Sequence, residues 1–170
     1  MRDIESMRAQ PMIMIAAGVV ALVAAVGLGA PPASAGPAPT FEVVVRDFYG
    51  AEGYTYVYDL RPDRLVVTLE NDFGRPAKEL CTALLSADQV REWVRFFTDF
   101  PLESLAPEYV NPAVDDGQQL TFSVRRGEAP PRVIQLANEF QADLAVLCDR
   151  VAALVPAKCV PRPLKLVAGR

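Results

Sequence analysis

The chain has 170 residues, a formal charge of −4 and no histidine. The missing imidazole excludes Ser–His–Asp and Cys–His nucleophile systems and histidine-ligated zinc. The acidic balance argues against a nucleic-acid binder, which would carry a basic patch or stripe, and gives no reason to expect attachment to anionic lipid.

Met12 to Leu28 (MIMIAAGVVALVAAVGL) is uncharged and apolar, and Ala33-Ser34-Ala35 follows as a small-residue cleavage site. This pattern predicts a signal peptide over residues 1–35 and an exported protein, periplasmic or secreted. Asp3 and Glu5 cancel Arg2 and Arg8, whereas a start at Met7 would leave Arg8 as the only side-chain charge before the apolar run. The alternative is an uncleaved anchor, because the run approaches the roughly 20 residues that span a bilayer. Membrane contact is expected only in that case. Cleavage leaves 170 − 35 = 135 residues, enough for one hydrophobic core. Residues 36–40 then read as a flexible leader, 41–156 as a single domain and 157–170 as a proline-rich tail.

Phe41 to Tyr49 is rich in β-formers, with Val43 and Val45 on one face. Gly50-Ala51-Glu52-Gly53 supplies a turn. In Tyr54 to Leu60 the tyrosines alternate with Thr55, Val57 and Asp59, so Tyr54, Tyr56 and Tyr58 project from one face. Arg61-Pro62-Asp63-Arg64 is a second turn, and Leu65 to Glu70 the third strand. Leu80 to Leu85 is read as a fourth strand. Ser86 caps a helix, with Gln89 completing a capping box and Val90, Trp93, Val94 and Phe97 at helical spacing. Pro101 closes it, and Pro101 to Pro112 reads as irregular, anchored by Tyr109.

Asp116-Gly117 is a turn signal before Gln118 to Arg126, where Leu120, Phe122 and Val124 alternate with polar residues. Gly127 to Pro131 makes the bend and Arg132 to Leu136 the returning strand. Asn138 to Val155 then places Phe140, Leu144, Leu147, Val151 and Leu154 on one helical stripe. Asn138 is expected to cap it, with Gln141 as the capping-box partner, and Pro156 to stop it. The order predicts an α+β fold: an antiparallel sheet, a meander plus a C-terminal hairpin, with two helices packed on one face.

The three cysteines are Cys81, Cys148 and Cys159. An odd number in an exported chain leaves one over. The expected bridge involves Cys159, with either Cys148 or Cys81 as partner. Catalytic thiol chemistry has little support, with no histidine and no Cys-x-x-Cys pair.

Tyr54, Tyr56 and Tyr58 are the candidate binding residues, because tyrosine offers apolar area and a hydroxyl to a partner. Their competing role is the helix–sheet core. Asp115-Asp116 lacks the alternating spacing of a calcium loop and reads as a turn, so no metal site is assigned. Trp93 reads as core, and Arg125-Arg126 as a solvated pair at a strand edge. No P-loop, dinucleotide fingerprint or nucleophile elbow is present, and no cofactor or catalytic residue is assigned. The leading expectation is a non-catalytic binding or accessory module of the cell envelope, its partner a protein or small ligand of that compartment. A histidine-free hydrolase using two of Asp59, Asp63, Asp72 and Asp115 is the first alternative. A membrane-anchored structural protein is the second.

Overall fold

The computed structural model describes residues 40–49, 53–71, 75–114, 117–159 and 164–166. The export segment, leader residues 36–39 and Asp72, Asp115 and Asp116 lie outside the described residues. The fold is α+β, a mixed sheet of seven strands with two α-helices.

Strands β1 (Phe41–Tyr49), β2 (Tyr54–Leu60), β3 (Arg64–Asn71) and β4 (Lys78–Leu84) pair with their sequence neighbours, all antiparallel. Gly53 enters β2 with φ 64°, a left-handed conformation that suits glycine. Arg61 and Arg64 close the β2–β3 turn by exchanging backbone hydrogen bonds of 2.8 and 3.2 Å. On the other side of β1 lie β6 (Gln119–Arg126) and β7 (Arg132–Ala137), giving the order β4-β3-β2-β1-β6-β7-β5.

The sheet is not wholly antiparallel as expected. The short strand β5 (Glu108–Val110) runs parallel to β7 at the far edge. Its three residues are too few to show a period of two, so the stretch between Pro107 and Pro112 reads in the sequence as loop. Backbone pairing makes the strand: Gln135 N donates to Pro107 O at 2.9 Å, and Asn111 N to Ala137 O at 3.0 Å.

Helix α1 (Ala87–Asp99) starts with the expected capping box. Ser86 N donates to Gln89 Oε1 at 2.8 Å, and Gln89 N to Ser86 Oγ at 3.3 Å. Its Trp93 and Phe97 are buried and meet Phe41 of β1, with ring centroids 6.1 and 5.7 Å away. A 3-10 turn, Leu102–Ser104, follows at once.

Helix α2 (Ala142–Ala152) is shorter than expected and has a different cap. Asn138 takes φ 59° and sends its amide to Val114 O at 2.6 Å, so it is turned away from the helix. Gln141 is the cap instead, accepting from Leu144 N at 2.7 Å. Phe140 therefore precedes the helix and is exposed, while Leu144, Leu147, Cys148 and Val151 are fully buried.

The core lies on the face of β1 that carries Phe41, Val43 and Val45, joined by Tyr58, Leu60, Leu65, Phe122 and Ile134. Leu164 and Leu166, beyond the expected domain end, also belong to it. Cys81 and Cys159 sit at disulfide distance, Cα atoms 5.8 Å apart, and Cys148 is a buried free thiol. No helix among the described residues is long and apolar enough to cross a membrane.

Candidate functional site

The tyrosine row follows its register into the core. Tyr58 is 1% exposed, Tyr56 5%, and Tyr54 is half-buried with its ring edge-on to Tyr56 at 5.6 Å. Alternation alone could not decide this, because either face of a strand can be the covered one. The opposite face of the sheet carries paired charge. Arg46 of β1 and Glu70 of β3 form an ion pair that reaches across β2, where Val57 stands beside Arg46 and Thr55 beside Glu70. Val57 and Thr55 are nearly buried as a result. Glu42 pairs with both Arg61 and Arg125.

The strand-end acids do not converge among the described residues. Asp59 accepts from Arg61 Nε at 3.1 Å, and that contact raises the Arg61 guanidinium above its ordinary value. Asp63 lies 3.5 Å from Arg64. No group of three or more potential metal ligands occurs among the described residues. Cys148 is pushed up to about 12, first by burial and then by the negative charges of Asp47 and Asp149, so it is a neutral thiol at physiological pH.

A groove borders α1 and α2, floored by Phe96 and Phe100. Arg150 stacks over the Phe96 ring at 4.5 Å, and Glu92, Asp99 and Asp143 line the rim together with Arg95. Its charges are mixed, and the arginine already covers the aromatic surface.

The second concavity has a more directed arrangement. It lies at the β6–β7 turn beside the 3-10 turn and has a volume of about 570 Å³. Leu102 and Val124 form its apolar floor, Ala129, Pro130 and Pro131 one wall, and Arg126, Arg132 and Glu103 its charged groups. Both arginines continue inward-facing series, Leu120–Phe122–Val124–Arg126 on β6 and Arg132–Ile134–Leu136 on β7. Strand β6 lies between β1 and β7, so Arg126 is not at a sheet edge. A cation in an inward register is the sequence signal for this site.

Each guanidinium is held from behind by a backbone carbonyl. In a continuing helix the carbonyl of Phe97 would accept from residue 101, but Pro101 has no N–H to give. Arg126 Nη1 supplies it instead, at 2.7 Å. A cation is also favoured at the negative end of the helix dipole. Arg132 Nη2 donates to Leu105 O at the exit of the 3-10 turn. What remains of both forks turns to one carboxylate. Arg126 Nη2 lies 2.7 Å from Glu103 Oε1, and Arg132 Nη1 lies 3.9 Å from Glu103 Oε2. Arg132 Nε is buried with no hydrogen-bond partner. Glu103 itself is 75% exposed, whereas the arginines are 32% and 34% exposed.

No protein-family model matches this chain, and no curated protein matches it. The chemistry of the site therefore has to be taken from its own residues. Two guanidiniums, each anchored by a backbone carbonyl, can bind an anion here.

Proposed function

We propose that the protein is an exported, non-catalytic binding module of the cell envelope that holds an anionic group in the Arg126–Arg132 cleft. The observation that carries this reading is the convergence of two carbonyl-anchored guanidiniums on one exposed carboxylate. Fixed forks lose little freedom on binding, and arginine presents planar paired donors to a two-oxygen anion. The apolar run with its A-x-A site supports export. The Cys81–Cys159 pair fits an oxidising compartment. In this reading both helices share the sheet face that bears Val43 and Val45, and the charge-paired opposite face keeps the domain soluble.

The test is a titration of the purified protein with acetate and with inorganic phosphate, followed by the NMR signals of the arginine Nε–H groups. Saturable shifts at Arg126 and Arg132 that weaken as salt is added are expected, and Arg126→Gln should abolish them. No saturable shift with either anion would remove the reading. Export is checked separately by the mature N-terminus: a mass corresponding to a chain that begins at Gly36 is expected.

A further inference from the structure

We propose that the ligand of this cleft is a carboxylate borne on an apolar group, and that Glu103 is its intramolecular stand-in and must leave for it to bind. The inference rests on the anion-binding reading above and names the chemistry of the anion.

Three features carry it. The first is the shape of the charge. Glu103 places one oxygen toward each arginine, Oε1 toward Arg126 and Oε2 toward Arg132. A planar group with two oxygens fits two forks held this far apart, and a carboxylate is such a group. The second is the asymmetry of the contact. Glu103 lies close to Arg126 but 3.9 Å from Arg132, and Arg132 Nε is left without a partner. The internal carboxylate thus satisfies the site only in part. An incoming carboxylate, not tethered to the 3-10 turn, is free to move closer to Arg132 Nη1, which Glu103 leaves at 3.9 Å. The third is the lining of the cleft. Leu102 and Val124 lie beneath it with almost no surface left in water, and the exposed Ala129, Pro130 and Pro131 wall it, so the apolar area open beside the anion position is that of the wall. A bare inorganic anion would leave that surface unused, whereas an aliphatic or peptide acid covers it.

Glu103 suits a displaceable group. It projects from a three-residue turn and is mostly exposed, so its release into water carries little desolvation cost. Its loss does not free the arginines, because the carbonyls of Phe97 and Leu105 still hold them.

The experiment compares the full protein with Glu103→Gln and Glu103→Ala, using hexanoate, hexanamide, N-acetyl-Ala-Leu with a free carboxyl terminus, and inorganic phosphate. Hexanoate or the peptide acid should bind more tightly to both variants than to the parent, by about two- to fivefold, the range an exposed ion pair supplies. Hexanamide should not bind. A stronger response to hexanoate assigns the source as a free aliphatic acid, and a stronger response to the peptide as a chain terminus. Phosphate binding as tightly as the organic acids, or affinities unchanged by either Glu103 substitution, overturns the inference while leaving anion binding intact. No binding of any acid or of phosphate to parent or variants overturns both.

Discussion

The amide of Gln118 joins two distant parts of the chain at the side chain of Asp47. Its Nε2 lies 3.3 Å from Asp47 Oδ1 on β1 and 2.9 Å from the carbonyl of Lys165. Asp47 is the one charged residue fully buried among the described residues, and Lys165 lies between the buried Leu164 and Leu166. Gln118→Ala withdraws a donor from the buried carboxylate and releases the last segment. A loss of about 1–3 kcal/mol in urea unfolding is expected, since hydrogen bonds to charged groups lie in that range. Amide exchange at Leu166 should accelerate more than exchange at the centre of β1.

The Cys81–Cys159 pair closes a separation of 78 residues between β4 and the exit of α2. Confining a loop of that size in the unfolded chain stabilises the fold by roughly 4 kcal/mol in the chain-entropy account. Cys159→Ser, or reduction, should lower the melting temperature by roughly 10–20 °C. Cys148→Ser should leave the bridge intact by mass spectrometry. A mass showing Cys148 bridged to Cys159 in the parent protein would contradict this pairing.

The buried Cys148 thiol gives stability a defined alkaline limit. Its pKa rises from 9.0 to about 12 on folding, so above pH 9 the unfolded chain loses a proton that the folded one retains. The associated stability is complete below pH 9 and disappears as the pH climbs through 12, amounting to at most about 4 kcal/mol. Cys148→Ala should flatten the fall in stability between pH 9 and 12. A thiol reagent at pH 8 should label the native protein only at the rate of opening.

Gly117 is fixed by Asn138, its neighbour just beyond the Gln119–Ala137 end of the β6–β7 pairing. A Cβ built there would lie 1.8 Å from Asn138 Oδ1 and 2.7 Å from its Cγ. Asn138 cannot easily yield, because its amide is bonded to Val114 O. Gly117→Ala should cost about 1–3 kcal/mol, as overpacking does. Adding Asn138→Gly removes the obstructing side chain and suits the left-handed backbone, so the double variant should recover part of the loss.

Legibility in the sequence followed how local each interaction is. The Ser86–Gln89 capping box was readable because both partners lie within one helical turn. Asn138 reads as an equally good cap, yet a bond to Val114 turns it left-handed. Strand β5 has no local signature, since its pairing with β7 is supplied by the rest of the sheet. The tyrosine row was visible as a row, but which face of the strand is covered depends on residues distant in sequence that pack against it. The arginine cleft needed three segments at once: the end of α1, the 3-10 turn and the β6–β7 turn. The proline that leaves Phe97 without its helical partner was in view throughout, though nothing near it in sequence names Arg126 as the replacement.

The burial of Leu164 and Leu166 bears on when the domain becomes whole during its synthesis. Val45 on β1 pairs with Phe122 on β6, so the sheet's centre stays open until most of the chain has been made. The two leucines come later still, and Cys159 must be present before Cys81 can be oxidised to it. A nascent chain that has emerged only to about residue 150 holds every described strand but lacks Leu164 and Leu166 from its core.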